Sequence, residues 1–149
     1  MSFSTLIVPT LRAGTELIEA INYRLCAKNE IKHGRPVGNA NKMAVMSGVL
    51  ALSDGACVIL HLTTPAIAPR VELACLPLRV FIGAAYIYSD NIYYQISAFS
   101  QTMTALEGVK KIGLRTGYVT PAKYLNNTLV TIELIARIFN SITLTFLSR

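Results

Sequence analysis

The sequence predicts an α+β fold: a single domain over residues 1–149 with two main amphipathic helices and antiparallel β-hairpins. A mostly α-helical bundle is the alternative. Three observations lead there. Apolar residues recur at three- and four-residue spacing in two stretches. Asp54-Gly55 stands between two apolar runs, as a hairpin turn would. Near the C-terminus Ile142, Leu144 and Phe146 alternate with threonines, the period of a strand.

The first helical stretch is Ala13 to Ile31. Leu17, Ile18, Ile21 and Leu25 form an apolar stripe, and Glu16, Glu19, Asn22 and Arg24 lie elsewhere on the cylinder. Gly34 and Pro36 end the helix, and residues 32–42 read as a loop in which Gly, Pro and Asn alternate with cations. Val49 to Leu62 follows as a hairpin around Asp54-Gly55, with a helix interrupted at Gly55 as the competing reading. Thr63 to Arg70 is an extended connector containing two prolines.

A second hairpin is predicted from Phe81–Tyr88 and Ile92–Ala98, rich in Tyr, Ile and Phe and separated by Ser89-Asp90-Asn91. Gln101–Ile112 reads as a short helix stopped by Gly113. The second long helix starts at Thr120-Pro121, a cap and a favoured first residue, and carries Leu125, Leu129, Ile132, Ala136 and Phe139 on one face. Glu133 and Arg137 stand four apart and can pair. Asn140 is expected to close this helix before the terminal strand.

Composition limits the function classes. The chain is 52% hydrophobic and 15% charged, with a mean hydropathy of +0.46. Against a usual charged fraction of about 25%, this excludes a disordered polyelectrolyte. It also leaves apolar surface beyond one core. Three apolar stretches are long enough to test as membrane spans, and each is interrupted. Met43 to Pro69 lacks Lys and Arg but contains Asp54 and His61. Val71 to Tyr88 carries Glu72, Pro77 and Arg79, and Tyr124 to Leu147 carries Glu133, Arg137 and Asn140. An Asp at a helix centre costs roughly 2.5–3.5 kcal/mol, which several leucines are needed to offset. The N-terminus, MSFSTLIVPTLR, has no charge before Arg12 and a proline in its apolar run, so no secretory signal is read and an intracellular location is expected. Cys26, Cys57 and Cys75 are then reduced.

Charge is the most uneven feature. Arg24, Lys28, Lys32, Arg35 and Lys42 against Glu30 give segment 24–42 a net +4, and Lys110, Lys111, Arg115 and Lys123 give segment 108–123 another +4. The whole chain carries +6, so these segments hold all of the excess. They are the candidate polyanion-binding residues. No metal-ligand spacing and no nucleotide-binding glycine motif is present, and no cofactor is implied. Asp54 and His61, facing each other across the hairpin, are the one acid–base candidate. The tyrosines Tyr86, Tyr88, Tyr93 and Tyr94 read as cross-strand packing or a subunit contact.

Together these features predict a non-catalytic, self-assembling structural subunit of coat, shell or filament type. Its apolar surface would be buried between copies, and its basic segments would contact nucleic acid or another polyanion. Two alternatives stand beside it. One is a small structural subunit of an integral membrane complex, and the other is a small enzyme using Asp54 and His61.

Overall fold

The computed structural model describes residues 3–87, 95–106 and 123–147. Helix α1 spans Phe3–Lys32, α2 Ala40–Thr63, α3 Ala68–Ala74 and α4 Leu76–Ile87. Residues 95–106 form α5, and α6 spans Lys123–Leu147. No strand occurs among the described residues. The α+β expectation is therefore wrong, and the helical alternative is the one the chain adopts.

Each predicted strand fails for a physical reason. The stretch from Val49 to Leu62 is the interior of α2, continuous through Gly48 and Gly55. Two glycines cost about 1 kcal/mol each in a helix, yet Ala, Met and Leu dominate the rest and keep the segment helical. Asp54 does not turn the chain, because its carboxylate is bound by Arg79 of α4. In the second hairpin, Phe81–Ile87 belongs to α4 and 95–98 to α5, while the turn at 89–91 lies outside the described residues. The terminal strand is the last turns of α6. There Thr143 Oγ1 and Thr145 Oγ1 donate to the carbonyls of Phe139 and Ser141 at 2.7 Å each. This bond to the preceding turn lets β-branched threonines sit within a helix with their hydroxyls satisfied.

Helix α1 ends where the sequence says it should. Gly34 takes φ +66°, its N–H donates to Ile31 O at 3.1 Å, and the Arg35 N–H donates to Glu30 O at 2.9 Å. That pair of bonds is a Schellman stop, which needs a left-handed residue. Gly38, also at positive φ, helps return the chain into α2. Helix α1 packs against α2 and α6. Contacts from Arg12 to Glu133 and from Asn22 to Thr145 show α1 and α6 running parallel. At Gly83 α4 meets α5 so closely that an added Cβ would lie 3.3 Å from Gln101 Cβ.

The sidedness of the helices is the main departure from expectation. Arg12, Thr15, Glu16, Glu19, Asn22 and Tyr23 form the buried face of α1, while Leu17, Ile18, Ile21 and Leu25 are exposed. In α6 the buried residues include Glu133, Arg137, Asn140 and Ser141, and Ile135, Phe139 and Phe146 point outward. An apolar cluster of Tyr23, Met43, Leu50, Ile82, Ala98 and Leu144 fills part of the interior. Among the described residues, buried polar and charged residues still outnumber buried hydrophobic ones.

Candidate functional site

The polar stripes of α1 and α6 meet inside the bundle, and α2, α4 and α5 add to them. Glu133 is the best satisfied carboxylate. Arg12 grips it with Nε on Oε1 at 2.7 Å and Nη2 on Oε2 at 2.6 Å, a two-pronged geometry that suits a guanidinium. Arg137 Nε adds 2.8 Å to Oε1 from one turn along α6, and Thr104 Oγ1 donates to the same oxygen at 2.6 Å. The pairing of Glu133 with Arg137 read from the sequence is thus made, but in the core rather than on a solvated surface.

Arg137 joins this cluster to Glu16. Its Nη1 lies 2.9 Å from Glu16 Oε1, and its Nη2 donates to Thr104 Oγ1 at 3.0 Å. Glu16 Oε1 also accepts from Gln101 Nε2 at 3.0 Å and from Arg79 Nη1 at 3.2 Å. Arg79 Nη1 further donates to Gln101 Oε1 at 3.0 Å, and its Nη2 binds Asp54 Oδ1. One acceptor on each of Glu16, Asp54 and Asn140 (Oε2, Oδ2 and Oδ1) has no hydrogen-bond partner.

Deeper along α1, Glu19 makes its hydrogen bonds to neutral groups. It accepts from Asn140 Nδ2 at 3.1 Å and from Ser97 Oγ at 3.2 Å. Asn140 Nδ2 also donates to Ser97 Oγ at 2.8 Å, and Tyr23 Oη lies 3.0 Å from that oxygen. Asn140, expected to close the last helix, instead ties three helices together from its middle.

A cavity of about 30 Å³ lies between Arg12, Asp54, Cys57, Glu72, Arg79 and Thr104. It has room for about one water molecule with several polar partners. His61 Nε2 lies 2.7 Å from Oε1 of Glu72, one of the lining residues. The Asp54–His61 acid–base pair is not formed, since Asp54 binds Arg79 and His61 binds Glu72. Seven residues apart on α2, the two share a face but stand about 10 Å apart along the axis. No group of His, Cys, Asp and Glu able to hold a metal ion occurs among the described residues. Cys26, Cys57 and Cys75 are free thiols, with Cys75 Sγ accepting from Ser53 Oγ.

The basic residues of segment 24–42 gather at the α1–α2 turn and are exposed. Arg35 Nε pairs with Glu30 at 2.9 Å, and Arg24 Nη1 donates to Asn41 Oδ1. Lys28, Lys32 and Lys42 project from the same end. Lys110, Lys111 and Arg115 lie outside the described residues, as do Tyr88, Tyr93 and Tyr94, and Lys123 is the first residue of α6.

Sequence reading missed Arg12, Glu16, Glu19, Arg79, Gln101, Thr104 and Asn140 as members of one network. The signal existed. Arg12, Glu16, Glu19 and Tyr23 recur at helical spacing, and Glu133, Arg137 and Asn140 do the same. In comparison with known proteins, no family model matches the chain, and no curated protein or solved structure is similar to it.

Proposed function

We propose that this chain is a small polytopic membrane protein, a structural subunit whose apolar outer faces meet lipid or neighbouring spans and whose ion-pair network fixes the packing of its helices. One observation carries the reading: the helices turn charged and polar faces inward and large hydrophobic side chains outward. Leu52 of α2 is 77% exposed and Phe146 of α6 is 73% exposed, whereas Glu16 and Arg137 are wholly buried. In water that arrangement would leave most hydrophobic burial unmade and desolvate charges without need. In hydrocarbon it is the expected one, because ionisable groups there face the bundle interior and pair with one another.

Helix length agrees. The hydrocarbon core is about 30 Å thick and is crossed by about 20 helical residues. Helices α1, α2 and α6 contain 30, 24 and 25 residues. Among the described residues α2 is the one helix apolar enough to cross by composition alone. Helix α1 is less apolar on average because its inward face carries Arg12, Glu16 and Glu19 of the network, and averaging over the cylinder hides its outward face. Threonines at Thr10, Thr63 and Thr143 donate to the carbonyl one turn back, which suits hydroxyls with no water to meet. The excess length of α1 would place Lys28 and Lys32 at the headgroup level, where each basic residue adds about 1 kcal/mol of attraction to anionic lipid.

The test is fractionation of cells expressing the full chain, followed by alkaline carbonate washing. The protein should remain with the membranes and dissolve only in detergent. Release by carbonate as a defined, detergent-free particle would refute the reading and restore the shell-type assembly.

A further inference from the structure

We propose that Glu19 is a proton-binding site, exchanging its proton with Tyr23 through the hydroxyl of Ser97. The inference begins from charge. Four buried carboxylates (Glu16, Glu19, Asp54 and Glu133) face three buried guanidiniums (Arg12, Arg79 and Arg137) among the described residues. One negative charge is left over, and in a low-dielectric core it has to be neutralised. Asp54, Glu16 and Glu133 each contact at least one guanidinium. Among the described residues Glu19 accepts from Asn140 and Ser97 and pairs with no guanidinium. The charges facing it are Arg137 on α6 and Glu16 one turn earlier on α1, and Arg79 of α4 is engaged with Glu16 and Asp54.

The neighbours of Glu19 favour a proton over a metal cation. Asn140 presents an N–H to the carboxylate, and a cation at that position would be repelled by it. That N–H meets Glu19 Oε1, which still accepts when the proton sits on Oε2 beside Ser97.

Ser97 is placed to serve both states. With Glu19 ionised, its hydroxyl donates to Glu19 and accepts from Asn140 and Tyr23. With Glu19 protonated, it accepts from Glu19 and Asn140 and donates to Tyr23. The Tyr23–Ser97 separation of 3.0 Å is compatible with either direction of donation, and each state uses the full capacity of the hydroxyl, one donor and two acceptor positions. A proton arriving at Tyr23 Oη therefore releases the phenolic proton to Ser97, which passes its own to Glu19. At Tyr23 Oη and at Ser97 Oγ one O–H bond forms and one breaks, at Glu19 one O–H bond forms, and the net change is protonation of Glu19 by the arriving proton.

The proposal rests on the membrane reading only for the strength of the charge penalty, and the test separates the two. The full chain, purified in detergent and returned to lipid, is examined by infrared difference spectroscopy between acidic and alkaline buffer. A protonated-carboxyl band should appear at acid pH, vanish in Glu19→Gln and ignore sodium and potassium concentration at fixed pH. Ser97→Ala and Tyr23→Phe should keep the band but slow its deuterium exchange by about tenfold or more, as expected for losing one hydrogen bond from the relay. A band of full amplitude in Glu19→Gln, or one that follows sodium or potassium, overturns the site. Unchanged exchange in both relay variants overturns the route, and these variants retain the carboxylate should Glu19→Gln fail to fold. A chain released by carbonate that still shows the Glu19 band would refute the membrane reading alone.

Discussion

Replacing Arg137 by methionine, which keeps much of the volume and removes the charge, examines the network where it is most connected. Arg137 makes three contacts: 2.8 Å to Glu133, 2.9 Å to Glu16 and 3.0 Å to Thr104. Breaking a buried ion pair by removing one partner costs about 3–5 kcal/mol, because the other charge is left uncompensated. Here the loss should lie at the lower end of that range. Glu133 keeps both prongs of Arg12, so it is not orphaned. Glu16 keeps Arg79 at the longer distance of 3.2 Å together with Gln101. Interhelical hydrogen bonds measured in a membrane bundle average only about 0.6 kcal/mol, so geometry alone would predict about 1 kcal/mol for the bonds to Glu16 and Thr104. The charge on Glu16, then shared with Asp54 on the single guanidinium of Arg79, raises the expectation to about 3 kcal/mol, more than a hundredfold in the folding equilibrium. The assay is reversible unfolding in mixed micelles followed by helicity. Pairing the change with Glu16→Gln removes that charge, so the double variant should recover part of the loss. A loss below about 1 kcal/mol, or strict additivity with Glu16→Gln, would refute the view that the ion pairs hold the helices together.

Other expectations follow from the same geometry. Ile135→Lys, at a 62% exposed position of α6, should cost about 2.5–3.5 kcal/mol if that face meets hydrocarbon, against less than about 0.5 kcal/mol on a water-exposed surface; thermal aggregation in detergent and membrane yield distinguish these. Gly83→Leu should push α4 away from Gln101 and cost at least 1–3 kcal/mol by overpacking, read from the same unfolding assay, while Gly14→Ala, where nothing lies within 4 Å, should be neutral or stabilising. Replacing Lys28, Lys32 and Arg35 by Ala should weaken flotation with anionic vesicles and reduce its salt dependence, at about 1 kcal/mol per residue, without altering helicity. A flotation profile identical to that of the parent chain would remove the basic turn as a headgroup contact.

The local signals along the chain proved unequal. Gly34 ends α1 because a left-handed residue is needed there, and a glycine at that point in the sequence says so directly. The spacing within 13–31 and from 123 onward likewise requires helices, whichever way they face. Asp54-Gly55 misleads, because the turn chemistry of an Asp-Gly pair is local, whereas the partner that holds Asp54 in a helix is Arg79, distant in the chain. Ile142, Leu144 and Phe146 mislead for another reason. Their alternation places Leu144 inward and Ile142 and Phe146 outward on a helix as readily as on a strand. Asn140 reads as a helix end when its amide is assumed to need water or a terminus, and in the fold its N–H groups donate to Glu19 and Ser97.

The sequence by itself determined that α1 and α6 are amphipathic helices and that charge is scarce and concentrated. It determined that Glu133 and Arg137 can pair across one turn. Only the tertiary structure decided which face of each helix is inside. Periodicity fixes the angle between an apolar and a polar stripe but not the medium that either one meets. A polar stripe is satisfied by water or by another polar stripe, and the choice depends on partners from distant segments: Arg12 with Glu133, Arg79 with Glu16 and Asp54, Asn140 with Glu19. Those partners become neighbours only when the helices pack, which is why a core of ion pairs was present in the sequence as spacing and became a site only in three dimensions.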